Sequence, residues 1–286
     1  MQTNSELWLD HTLRIGACGT WWSAGTPGGQ TLGTLQLDPD LVAQPAVRDR
    51  VAAIVAKVRA ANPPGVLRTT ELVYDARRAW LVVATVPKPT LADLLAAGVP
   101  LPPGAAAGIA VDVAAALREL HAVGLSHGDL SAGTVILTGA GAAALTEVGV
   151  LAAVRDAPID IAIDTCAWGA LAHELAAVAP EAALLHRAAQ TAASGDLAAA
   201  ARRLALESAD LPDFVTRDGL SVLLPSLAPA PPRIPSQHTS TVDSVGVAVR
   251  LRFGPGVPDE ALLNPRPAPD AAARRGLLRR LWPFSR

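Results

Sequence analysis

Apolar and polar positions change period several times along the chain, and each change marks an element. In the first 87 residues the runs are short and strand-like. Residues 13–24 read as strand, glycine turn and strand, residues 26–37 as a third strand, and residues 66–75 and 79–87 as two more. One helix interrupts them, over residues 44–61. From residue 90 the helical period dominates. A short helix over 90–97 opens on a Thr90 cap, and Leu101-Pro102-Pro103-Gly104 breaks the chain before a long helix over 105–123. In that helix Ile109, Val113, Leu117 and Leu120 form one buried stripe. Residues 135–137 and 144–146 make a small hairpin, and helices follow over 164–175, 181–194 and 195–208. From residue 211 the pattern stops. Residues 224–235 are proline-rich and 237–244 polar, which reads as linker or disorder. Residues 245–253 alternate as a lone strand. No internal repeat at a solenoid period is present.

Composition narrows the class. Half of the residues are hydrophobic but only 3% aromatic, and alanine supplies much of the remainder, which favours helices. The net charge of −2 gives no general attraction to nucleic acid, so no nucleic-acid partner is expected. Cys18 and Cys166 lie far apart without metal-ligand spacing. The first residues lack a basic and apolar leader, and no apolar run reaches the ~18–20 residues of a membrane span. The expectation is a cytoplasmic protein. The Ala-, Arg- and Pro-rich composition points to a GC-rich bacterial source.

Candidate chemistry centres on His127-Gly128-Asp129-Leu130 with Thr134, followed by Glu147-Val148-Gly149 and then Asp164-x-x-x-Trp168-Gly169. These residues, in this order, resemble the catalytic loop, metal-binding turn and buried helix of the protein kinase fold, whose pattern is H-R-D-L-x-x-x-N followed by D-F-G. His-Gly-Asp also suits the aminoglycoside-phosphotransferase relatives; the Trp168-Gly169 helix favours the protein-kinase branch. The resemblance covers about residues 12–209. It implies an α+β, bilobal, kinase-like fold with a small β-rich N-lobe over 12–87 and a helical, truncated C-lobe over 88–209. An N-terminal extension (1–11) and a largely disordered tail (210–286) would flank them.

The same resemblance assigns roles, and the chain departs from most of them. Asp129 stands at the catalytic base. Thr134 replaces the Asn and Glu147 the Asp that hold metal. Gly16 and Gly19 are the remaining glycines of a flap whose turn is shortened. Ala84 and Val86, in the connector after the fifth strand, are the backbone candidates for adenine. A gapless count from Ala24 puts Leu35 at the phosphate lysine, or Gln36 after a one-residue slip; the chain's two lysines, Lys57 and Lys88, lie elsewhere. Ala52 and Ala53 stand where the lysine's glutamate partner would lie. No A-P-E sequence appears, and the activation segment is short. Phosphoryl transfer depends on positioned charges, and losing one such group typically costs on the order of 10²–10³ in rate. The expectation is a pseudokinase, a binding or scaffolding module in bacterial Ser/Thr phosphorylation signalling. It requires no cofactor, and ATP and Mg²⁺ matter only if residual binding exists. Asp129 is expected to persist for hydrogen bonds within its loop, and Asp164 to hold the loop backbone. The alternative is a divergent active protein kinase or small-molecule phosphotransferase using Asp129 with Glu147 and Thr134 at the metal.

Two stretches of the tail suggest partners. Thr239-Ser240-Thr241 is accessible to an active kinase and to a phosphothreonine-reading domain. The last thirteen residues place Leu277, Leu278, Leu281, Trp282 and Phe284 among Arg274, Arg275, Arg279, Arg280 and Arg286. That composition suits peripheral contact with an anionic membrane, and equally a segment that docks on the domain.

Overall fold

The computed structural model describes residues 7–26, 28–74 and 78–227. The amino-terminal lobe is a five-stranded antiparallel sheet in the order β1-β2-β3-β5-β4. Its strands are β1 (Trp8–Gly16), β2 (Gly19–Gly25), β3 (Thr31–Leu37), β4 (Thr69–Tyr74) and β5 (Ala79–Val83). Helix α1 (Pro45–Ala61) lies against it. Gln44 is extended and Pro45 takes the first helical turn, where its missing N–H costs nothing. The buried face of α1 is made of Val47, Val51, Val55 and Val58. The first three share one apolar cluster with Trp21, Leu35, Leu37, Leu81 and Val83 of the sheet. The hairpin between β1 and β2 turns over Ala17 and Cys18 alone, with Gly16 opposite Gly19.

The second lobe is helical. α2 (Leu91–Ala97) starts with a reciprocal capping box between Thr90 and Asp93, as the Thr cap predicts. α3 (Ala105–Ala122) is buried on almost every side and runs through the lobe as its axis. Around it lie the hairpin of β6 (Val135–Leu137) and β7 (Ala143–Leu145), then α4 (Val150–Arg155), α5 (Ile161–Ala176), α6 (Ala182–Ala193) and α7 (Leu197–Ser208). Trp168 of α5 is fully buried and its Nε1 donates to the Ala110 carbonyl of α3 at 2.8 Å. No helix among the described residues is long and apolar enough to cross a membrane.

Both expected boundaries move outward. β1 begins at Trp8 and Leu7 is buried, so part of the stretch assigned to an N-terminal extension belongs to the sheet. At the other end the packed chain runs beyond residue 209 into α8 (Asp218–Leu227), with Phe214, Leu220 and Leu224 in the main core. Proline in this stretch suggested a linker, but two polar side chains fasten it. Asp213 caps α8 by accepting from the N–H groups of Gly219 and Leu220, both at 2.9 Å. Arg217, buried, donates to the Asp213 carbonyl at 2.9 Å and reaches Asp112 of α3 at 3.5 Å. The disordered-tail expectation, Thr239-Ser240-Thr241, the strand over 245–253 and the basic C-terminus lie outside the described residues.

Candidate functional site

Between the lobes, the loop that follows α3 is organised by a buried carboxylate. Asp164, at the start of α5, is fully buried and accepts from the N–H groups of His127 at 2.7 Å and Gly128 at 2.9 Å. It also pairs with His121 Nε2 at 2.9 Å. Burial alone would push its pKa up, but His121 and the two amides outweigh burial and hold the carboxyl below the usual range. This is the loop-holding role expected of Asp164. His127 is itself fully buried; burial pushes its pKa down against the pull of Asp164 and Glu147. The ring is therefore neutral at pH 7, and its Nδ1 accepts from the Asp129 N–H at 3.3 Å.

The loop contacts of Asp129 are made by its main chain, not its carboxylate. Its N–H donates to His127, and its carbonyl accepts from Thr134 Oγ1 at 3.3 Å. The half-buried carboxylate makes no hydrogen bond or ion pair among the described residues. Burial first, and the charge of Glu147 second, raise its pKa, with Arg155 opposing them. The expectation that Asp129 braces the loop is thus corrected: a backbone, not a side chain, supplies the brace. Thr134 completes it. Its buried hydroxyl accepts from the Ser131 N–H at 3.0 Å and points its proton at the Ser131 and Asp129 carbonyls.

Glu147 departs furthest from the role the sequence resemblance assigns. It occupies the left-handed region at φ +61° and its side chain is only 2% exposed. Oε1 receives Arg14 Nη2 at 2.8 Å and Trp21 Nε1 at 2.7 Å, both from the glycine hairpin. Arg14 and Trp21 are register partners across β1 and β2, and the guanidinium lies over the indole at 5.5 Å. The two glycines serve this arrangement. A Cβ on Gly16 would stand 3.2 Å from Arg14 Nη1 and 3.6 Å from Glu147 Oε1. Gly19 has φ +146°, and a side chain there would collide with the Gln36 carbonyl of β3. Cys18, in the turn, is buried; burial, then the charges of Glu147 and Asp129, push its thiol far above the ordinary range.

Leu35 is fully buried, paired with Trp21 on one side and Leu81 on the other, and clustered with Val51 and Val55 of α1. The side chains facing it are therefore these valines rather than Ala52 and Ala53; Ala53 is exposed. The helical phase set by Pro45 turns the alanines away. In the connector, the Ala84 N–H donates to the Arg68 carbonyl at 3.0 Å and the Val86 carbonyl accepts from the Lys88 N–H at 2.9 Å. Behind Glu147, between α1, β4 and β5, a cavity of about 10 Å³ remains, at the lower limit for one water.

The structure sets Gly16 beside Glu147 and Thr134 against the main chain of Asp129. Arg14, Trp21 and Cys18, which complete the site, were not singled out from the sequence. The signal lay in the turn. With only two residues between Gly16 and Gly19, antiparallel pairing sets Arg14 opposite Trp21, and the period of two puts Arg14 on the same face as Gly16.

This architecture is the protein kinase-like fold: a five-stranded lobe with one helix, a helical lobe, and the His-Gly-Asp loop and Glu-Val-Gly turn between them. The kinase domain of PknI from Mycobacterium tuberculosis is similar to it, with a TM-score of 0.58 at 19% identity over 70% of this chain and 95% of that one. A double mutant of that kinase domain gives 0.58 at 21% identity over 70% and 95%, and a further structure of it gives 0.56 at 20% over 73% and 96%. No protein-family model matches the chain, and no curated protein matches it.

Proposed function

We propose that this chain is a pseudokinase, a kinase-fold module that acts by binding and scaffolding in bacterial phosphorylation signalling. The observation that carries the reading is the Glu147 carboxylate, turned into the amino-terminal lobe and held by Arg14 and Trp21. Mg²⁺ needs hard oxygen ligands in a nearly regular octahedron. Here Glu147 is neutralised by a guanidinium, and the Thr134 hydroxyl is engaged by its own loop. Leu35, which the gapless count sets at the phosphate lysine, meets valines instead. The residues present do not fit a magnesium nucleotide. The partner we propose belongs to the same signalling chemistry, an active kinase or a phosphothreonine-reading domain.

One observation favours the alternative, a divergent phosphotransferase. Among the described residues the Asp129 carboxylate is uncommitted, and its raised pKa suits a general base. Transfer from radiolabelled ATP, comparing wild type with Asp129→Ala, separates the two. The expected result is no transfer from either, together with no thermal shift at millimolar Mg-ATP. A nucleotide present at about 100 times its Kd stabilises by roughly 2.7 kcal/mol, which would be read as a shift of several degrees. Transfer that disappears in Asp129→Ala overturns the pseudokinase reading.

A further inference from the structure

Helix α5 is apolar on nearly every face, a pattern that in a helix predicts full burial. One of its faces is nevertheless bare. Trp168, Leu171, Ala172 and Leu175 are buried, while Ile163, Cys166 and Ala170, spaced three and four apart along one stripe, face solvent. Ile159, just before the helix, and Ile161 in its first turn extend the patch, at 52% and 49% exposed beside Ile163 at 52%. Beside Ile159 opens a cavity of about 190 Å³, floored by Ile54 of α1, Leu125, and Ala152 and Ala153 of α4. That is below the roughly 300–1,000 Å³ of small-molecule sites and suits one anchoring side chain. At the mouth Arg50 donates to the Ala153 carbonyl at 2.8 Å and pairs with Asp156 at 3.4 Å, and the Asp156 side chain is 74% exposed.

We propose that this face is the docking surface for the chain's own residues 274–286. The surface calls for an apolar segment with a large aromatic anchor. Residues 274–286 offer Leu277, Leu278, Leu281, Trp282 and Phe284 among Arg274, Arg275, Arg279 and Arg280. Trp and Arg are the residue types most often found as interface anchors. A buried indole suits the size of the cavity. Distance permits the contact. α8 packs on the α2 side of the lobe and the cavity opens where α3 ends, separated by about the length of α3, roughly 27 Å for its 18 residues. About 50 residues lie between Leu227 and Leu277, and a random chain of that length spans roughly 40 Å.

Cys166 reports on the docking without added labels. It sits on the bare stripe, whereas Cys18 is buried with its thiol pushed up and does not compete. In the full chain, Leu281→Asp with Trp282→Ala is expected to raise the alkylation rate of Cys166 about tenfold or more, the equivalent of ~1.4 kcal/mol of lost docking. A fluorescent peptide of residues 274–286 is expected to bind that variant, and about tenfold more weakly once Ile159→Asp is added at this half-exposed position. An alkylation rate unmoved by the tail substitutions overturns the proposal. A slow, unmoved rate with sedimentation at twice the monomer mass assigns the face to a second copy. A fast, unmoved rate with wild type pelleting on phosphatidylcholine vesicles of about 30% phosphatidylserine assigns the tail to a membrane.

Discussion

Replacing Arg14 by alanine is expected to destabilise the chain by about 3–5 kcal/mol, the cost of leaving a buried carboxylate without its partner. Glu147 is 2% exposed and Arg14 14%, so solvent screens the pair little. Trp21 Nε1 would remain as a donor, but a neutral N–H does not offset a full charge. Adding Glu147→Gln to Arg14→Ala is expected to recover most of the loss, because an amide oxygen can still accept from Trp21 and no charge stays buried. Urea unfolding of the two single variants and the double variant measures the coupling. A loss below about 1 kcal/mol for Arg14→Ala, the range of exposed pairs, would show that the cleft is open to water and would remove the main support for the pseudokinase reading.

Asp164→Ala is the second large effect. It strands the buried N–H groups of His127 and Gly128 and removes the partner of His121. Unsatisfied buried donors cost about 1–3 kcal/mol each, so a loss of about 3–5 kcal/mol is expected, centred on the loop that carries Asp129. The pH dependence has a defined sign. The folded Asp164 carboxyl lies below its unfolded range, so its stabilisation is complete above about pH 4 and fades as pH falls toward the folded value. The stability gap between wild type and Asp164→Asn should therefore narrow in acid and stay constant from about pH 5 upward. Chemical unfolding at several pH values tests this, and a gap that widens in acid contradicts it.

The sequence was most informative where local chemistry and tertiary packing agree. Pro45 and the valine spacing set both the start and the buried face of α1. Thr90 with Asp93 set the start of α2, and the order from His127 through Glu147 to Trp168 was enough to expect a kinase-like cleft. Two things were hidden. The first is the link between Arg14 and Glu147, residues 133 apart in sequence that only the assembled fold brings together. Arg14 alone looks like any charged strand residue, and its buried partner looks like a damaged metal ligand. The second is the stretch through α8. Its prolines signalled a linker, while the decisive groups, Asp213 and Arg217, act over distances that composition does not register.

The position of Arg14 on the first strand also bears on the order in which the molecule assembles. Three strand pairs of the sheet, β1 with β2, β2 with β3 and β4 with β5, join neighbours in sequence and can form as soon as they leave the ribosome, but the carboxylate that Arg14 requires is made more than a hundred residues later. Closing so long a loop carries an entropic cost that shorter contacts avoid. The ion pair therefore belongs to the late docking of two preformed halves. An interaction made after the rate-limiting step leaves the folding rate nearly unchanged and slows unfolding instead, so this pair acts chiefly as a brake on the loss of structure.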